Sequence, residues 1–158
     1  MTIDELRRED WPAATRIFED GLDVGTFEES VPAWEDWDAS HLAAPRLAAR
    51  DGGEVVGWVA LAPISGRACY RGVVESSIYI APAARGRGVG RALLLELVRR
   101  ADEAGLWTIQ AHTFADNAAS IALHQACGFR LVGIHARLAQ KRGVWRDTAL
   151  LERRSDVG

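Results

Sequence analysis

Arg85-Gly86-Arg87-Gly88-Val89-Gly90 alternates glycine with arginine between a β-prone run (Ser77, Ile78, Tyr79, Ile80) and a strong helix former, Arg91 to Ala104. A strand that breaks into glycines and re-emerges as a helix presents unpaired backbone N–H groups to an anion. The segment therefore predicts a phosphate-bearing ligand. A Walker loop requires G-x-x-x-x-G-K-[ST], and no Lys follows Gly90. A dinucleotide fingerprint requires a third glycine where Arg91 stands and an acidic residue about twenty positions on, where the region around Gln110 offers no carboxylate. What remains is [RQ]-x-x-G-x-G, with Arg85, Gly88 and Gly90 at the fixed positions.

Two further segments carry groups able to move protons. Glu75 stands in Gly72-Val73-Val74-Glu75-Ser76-Ser77-Ile78-Tyr79-Ile80, an otherwise apolar and hydroxyl-rich strand leading into the glycine loop. A carboxylate so placed is a candidate general base. Downstream, Asn117, Ile121 and His124 recur at i, i+4 and i+7, which puts them on one helical face. Asn117 fits either a ligand contact or a helix N-cap. His124 fits either a ligand-facing imidazole or a satisfied buried histidine.

The elements that must position these groups follow from periodicity and turn signals. A short strand spans Ile3 to Arg7, and Asp10 caps a helix running through Ile17 and Phe18 toward Gly21. The loop Gly25 to Glu29 leads to a second helix starting at Ser30 and Pro32, with Trp34, Trp37 and His41 spaced for one face; the tryptophans read as core or interface. Arg46 to Arg50 and Glu54 to Leu61 flank Asp51-Gly52-Gly53 as a hairpin, and Val73 to Ile80 is the next strand. Leu93, Leu97 and Ala101 mark the helix after the glycine loop, Gly105 ends it, and a strand covers Leu106 to His112. A helix over Asn117 to Cys127 stops at Gly128; strands Phe129 to Ala136 and Thr148 to Glu152 close the order, joined by a basic turn around Lys141-Arg142-Gly143. The order predicts one α/β domain over residues 1–158, a mixed sheet with helices on both faces.

Composition narrows the function classes. The 158 residues are 48% hydrophobic, which suits one domain with a real core. Met1 to Glu5 lacks a basic, apolar leader, and no apolar run reaches the roughly 18 residues of a membrane span, so a cytoplasmic protein without a membrane partner is expected. Cys69 and Cys127 form no C-x-x-C pair and the histidines show no metal-ligand spacing; two free thiols and no metal are expected. A net charge of -3 speaks against a nucleic-acid surface, while Arg85, Arg87 and Arg91 suit one polyphosphate ligand.

The glycine pattern resembles the acetyl-CoA pyrophosphate loop of the GNAT superfamily of N-acetyltransferases, whose central sheet is mixed and mostly antiparallel. Asn117 to Phe129 resembles the superfamily's N-x-x-[AS]-x-x-L-Y-x-x-x-G-F helix, with His124 standing where many members have tyrosine. Thr26-Phe27-Glu28-Glu29-Ser30-Val31-Pro32, Tyr70 to Glu75 and Lys141 to Asp147 are similar to segments of the phosphinothricin acetyltransferase-like branch; Val73 departs from its frequent threonine. The resemblance implies a homodimer that acetylates the α-amine of amino-acid analogues such as phosphinothricin or methionine sulfoximine, with acetyl-CoA as cosubstrate. It implies cofactor contacts from Ile78, Tyr79, Ile80, Arg85, Gly86, Arg87, Gly88, Val89, Gly90, Arg91 and Asn117. Glu75 becomes the base that frees the amine. His124 orients the acceptor or protonates the leaving thiolate. Thr26, Phe27, Glu28, Tyr70, Arg71 and Val74 fall to the acceptor, with the planar fork of Arg71 suited to a carboxylate or phosphinate. Another small amine, a peptide N-terminus, or a non-catalytic CoA-binding role are the alternatives left open.

Overall fold

A computed structural model describes residues 1–22 and 27–156. In chain order the main elements are β1 (Thr2–Glu5), α1 (Trp11–Gly21), α2 (Trp34–Ser40), β2 (Leu47–Asp51), β3 (Glu54–Pro63), β4 (Val73–Ile80), α3 (Val89–Glu103), β5 (Thr108–Phe114), α4 (Ala118–Ala126), β6 (Arg130–Lys141) and β7 (Val144–Arg154). The strands form one sheet in the order β1-β2-β3-β4-β5-β7-β6. Every neighbouring pair is antiparallel except β4 with β5. The expected mixed, mostly antiparallel sheet is therefore observed, with helices on both faces.

Strand alternation sorts side chains between two cores. Val74, Val59, Leu61, Ile109 and Ala111 point to one face, where α3 contributes Leu93, Leu94, Leu97 and Ala101. Trp58, Ala48 and Ala60 point to the other, against Trp11, Ala14, Ile17 and Phe18 of α1 and Trp37 of α2. The second core is largely aromatic. Trp58 and Phe18 both stack on Tyr79 with ring centroids 4.7 Å apart, and the buried Trp58 indole N–H donates to the Ala14 carbonyl at 3.1 Å. That stacking fixes α1 over the end of β4. Trp34 and Trp37 belong to this core, as their spacing suggested.

The hairpins are set by their turns. Gly52 and Gly53 both have positive φ, as do Arg142 and Gly143, the signature of two-residue turns that match strand twist. The second of these zips β6 and β7 well beyond the expected spans. β5 also runs two residues later than expected, and α3 starts two residues earlier. Both cysteines are free, with Cys69 exposed and Cys127 buried. Among the described residues, no helix is long and apolar enough to cross a membrane.

Candidate active site

β4 and β5 pair in register only from Val73–Thr108 to Glu75–Gln110, whereas β4 stays paired to β3 as far as Ile80. Beyond Glu75 the two strands diverge, and β4 turns alternate N–H and C=O groups into the gap. A cleft of about 730 Å³ occupies that opening. Ile78, Tyr79 and Ile80 of β4 line it, as do Ala84, Arg85, Gly86, Gly88, Val89, Gly90 and Arg91 of the glycine loop. Asp116, Asn117, Ala119, Ser120 and Leu123 close it from the α4 side, and Ile17, Gly21 and Arg146 from the aromatic-core face.

The glycine loop is shaped for a close approach. Gly86 and Gly88 have φ of +74° and +81°, a region L side chains rarely adopt, and Gly88 is the N-cap of α3. The first N–H groups of α3 have no intrahelical partner and open onto the cleft, where the helix dipole also favours negative charge. Gly90 admits α4: a Cβ there would stand 3.2 Å from a Leu123 methyl group. Together with Arg85 and Arg91 this end of the cleft fits a pyrophosphate.

Asn117 serves both readings. Its Oδ1 accepts from the Ser120 N–H at 3.1 Å as the cap of α4, and the residue still lines the cleft, so its amide NH₂ remains for a ligand. Arg87 is the exception among the expected cofactor residues. Its guanidinium pairs with Asp51 at 3.3 Å on the surface and does not line the cleft.

His124 also differs from its ligand-facing reading. It is buried, packs edge-on against Phe129 with centroids 5.1 Å apart, and is absent from the cleft lining. Its Nδ1 donates to the Ser120 carbonyl at 2.7 Å, and burial pushes its pKa below the ordinary histidine value. The face argument fails because Asn117, at ψ 76°, is a cap outside the helix, so helical counting cannot start from it. Ala119, Ser120 and Leu123 are the residues that α4 turns to the cleft instead.

Glu75 is half-buried at the last paired position of β4 and β5, on the aromatic-core face and outside the cleft lining. Val74, its neighbour, must then point the opposite way; it is 1% exposed in the α3-side core and cannot touch an acceptor through its side chain. Tyr70 and Arg71 lie exposed in the turn before β4, with the Arg71 guanidinium 5.2 Å from the Trp107 ring centroid and one N–H on the Ala68 carbonyl. Gly72 is required there, because a Cβ would fall 2.1 Å from the Trp107 ring. Phe27 meets Phe114 edge-on at 4.7 Å, and Glu28 is exposed beside it. Thr26 lies outside the described residues.

Among the cleft residues missed in the sequence, two are charged, Arg146 and Asp116. Arg146 of β7 lies 3.9 Å from the Phe114 ring centroid and donates through Nη2 to both Asp116 carboxylate oxygens, at 3.0 and 3.2 Å. Only the pairing of β5 with β7 brings these residues together, and no local spacing reports it.

The acetyltransferase (GNAT) family model matches residues 3–129. The chain is 37% identical to the phosphinothricin N-acetyltransferase of Alcaligenes faecalis, over 99% of this chain and 84% of that one. It is 32% identical to an L-methionine sulfoximine/L-methionine sulfone acetyltransferase of Salmonella typhimurium, over 99% and 95% of the two chains. Among solved structures, a phosphinothricin acetyltransferase from Sinorhizobium meliloti in complex with acetyl-CoA superposes with a TM-score of 0.86 at 34% identity, covering 97% of this chain and 87% of the other.

Proposed function

The chain belongs to the acetyltransferase (GNAT) family and uses acetyl-CoA as cosubstrate, and on that premise we propose that it acetylates the α-amine of a small amino-acid analogue of the phosphinothricin or methionine sulfoximine type. The observation that carries the reading is the divergence of β4 from β5, with a helix N-terminus at one end of the opening and Glu75 at the other. The pyrophosphate of acetyl-CoA docks on Gly86, Gly88 and the first N–H groups of α3, with Arg85 and Arg91 adding charge. The pantetheine arm follows the free edge of β4 past Asn117, and the thioester reaches the point where the strands meet. Unpaired backbone N–H groups of β4 polarise its carbonyl.

The acceptor enters from the aromatic-core face, between the loop carrying Phe27 and Glu28 and the turn carrying Tyr70 and Arg71. An ammonium group cannot attack, and Glu75 takes its proton directly or through one water. Arg71 keeps most of its guanidinium donors for a carboxylate or phosphinate, since its one hydrogen bond is to the Ala68 carbonyl. Held in this way, the amine attacks the thioester carbonyl without a covalent enzyme intermediate.

The proposal extends to a homodimer working in the cytoplasm. The β6–β7 hairpin leaves Leu131, Val132, Ile134, Leu138, Val144 and Trp145 exposed at the sheet edge, an apolar strip that a second copy would cover. Sedimentation of the wild type and of Trp145→Arg tests this, a monomeric wild type being the refuting result.

The decisive assay is an acceptor panel with acetyl-CoA: phosphinothricin, methionine sulfoximine, ordinary amino acids, simple amines and short peptides. The proposed function expects turnover of the two analogues, and Arg71→Ala raises their KM without moving the KM for acetyl-CoA. Efficient acetylation of peptides with neither analogue accepted would overturn the acceptor assignment.

A further inference from the structure

On the acceptor face of β5 stands a second titratable side chain that the reaction above does not use. His112 lies in unbroken register between Gln110, which pairs with Glu75, and Phe114, which carries Arg146 at the edge of the cleft. Alternation sends Gln110, His112 and Phe114 to one face, the same face as Glu75, because Ile109 and Ala111 are committed to the opposite core. With strands about 4.8 Å apart and a rise of about 3.3 Å per residue, Glu75 and His112 start about 8 Å apart as diagonal neighbours. His112 is the one displaced toward the cleft. It is half-buried, and among the described residues neither it nor Glu75 has a hydrogen-bond or ion-pair partner. Across β7 its register partner is Leu150, an apolar side chain that cannot satisfy an imidazole.

We propose that His112 is a catalytic residue that shuttles the second proton of acetyl transfer, from the attacking nitrogen to the departing sulfur. This assignment rests on the acetyltransferase reading and deepens it. Glu75 removes the first proton, from the ammonium, and passes it to solvent. The neutral amine then forms the N–C bond and the C–S bond breaks. Attack leaves one surplus proton on nitrogen and an electron pair on sulfur. His112 accepts that proton on a ring nitrogen and returns it to the thiolate, giving the amide and CoA thiol with the imidazole restored. An imidazole suits this role because it exchanges protons near neutral pH with little driving-force penalty. His124, by contrast, is buried with its Nδ1–H committed to the Ser120 carbonyl, whereas the half-buried His112 has, among the described residues, both ring nitrogens uncommitted on the strand that borders the opening. The charged and titratable groups sharing the face with His112 are Glu75 of β4, Arg154, Glu152 and Arg146 of β7, and Arg130, His135 and Lys141 of β6; Arg130 and Glu152 neutralise each other at 2.9 Å, and the Lys141 ammonium stands 5.8 Å from the Phe114 ring centroid.

The test compares wild type, His112→Gln and His112→Asn, using the best acceptor from the panel and acetyl-CoA, with CoA affinity measured by calorimetry as a check on folding. Both variants should lose about 100-fold in kcat, the usual scale for a lost acid–base group, with KM for acetyl-CoA within twofold. Their kcat–pH profiles should lack one ionisation seen in the wild type. Active wild type with either variant folded and within twofold of its kcat would overturn the role of His112 alone. A folded wild type that acetylates no amine would overturn the function and this role with it. Loss of kcat with an unchanged pH profile would make His112 a packing residue and overturn the shuttle.

Discussion

Replacing Gly88 by asparagine and by aspartate separates the shape of the glycine loop from its charge preference. Gly88 has φ +81°, and an added Cβ would meet nothing within 4 Å, so the first side-chain atom is accommodated equally in both variants, which are isosteric beyond it. Both variants pay left-handed backbone strain of about 1 kcal/mol, since asparagine and aspartate tolerate this region best after glycine. For a chain of this size that lowers Tm by about 2–4 °C, equally in the two. The variants differ by one negative charge at the helix N-terminus where the pyrophosphate is proposed to dock. At about 6 Å and an effective dielectric of ~40–80, each phosphate charge is opposed by roughly 0.7–1.4 kcal/mol. Two such charges give about 1.4–2.8 kcal/mol, or roughly a 10- to 100-fold higher Kd for Gly88→Asp than for Gly88→Asn. Calorimetric titration with acetyl-CoA at low ionic strength measures the ratio, and added salt should compress it. Equal affinities for the two folded variants would show that no phosphate lies at this helix end.

Glu75→Gln should lower kcat by about 10² to 10⁴ with little change in acetyl-CoA binding, and higher pH should recover part of the rate because more amine is already neutral; a wild-type rate across the pH range would leave Glu75 without a catalytic role. Gly57→Ala puts a Cβ 2.8 Å from Ile80 Cδ1, 3.1 Å from Leu93 Cδ1 and 3.2 Å from the Tyr79 carbonyl. Because Ile80 lines the cleft, calorimetry should show a loss of about 1–3 kcal/mol of stability together with weaker acetyl-CoA binding. Burial holds the pKa of His124 below its unfolded value, so the unfolded state binds more protons as pH falls through about 6.5. The stability His124 contributes is fully present above that pH and is lost below it; thermal melts from pH 7.5 to 5 should show a smaller drop in Tm for His124→Gln than for wild type.

The cofactor end of the site was legible in the sequence because it is local. Strand, glycine turn and helix are consecutive, and the N–H groups that face the cleft come from that one stretch. The acceptor end is not local, and reading it required the strand order. Nothing in the run from Val73 to Ile80 says that its β5 partner departs after Glu75. Nothing near Asp116 announces Arg146, thirty residues on in the chain. Val74 was misread where the sequence did hold the answer. Period-two alternation forbids it from sharing a face with Glu75. Of the two readings of His124 the ligand-facing one failed for a different reason, since the face count began on a residue whose backbone is not helical.

Three register pairs join β4 to β5, whereas seven join β3 to β4 and seven join β5 to β7. The sheet is thus two half-sheets sewn along a short seam, and the proposed docking puts acetyl-CoA where the remaining stitches would be. Part of its binding energy is therefore cohesion of the fold, worth about 2.7 kcal/mol when its concentration is a hundred times Kd. On that docking, occupancy of the seam raises the resistance of the fold to unfolding, and free CoA, which keeps the pyrophosphate and the pantetheine arm, would supply that cohesion as its acetyl ester does.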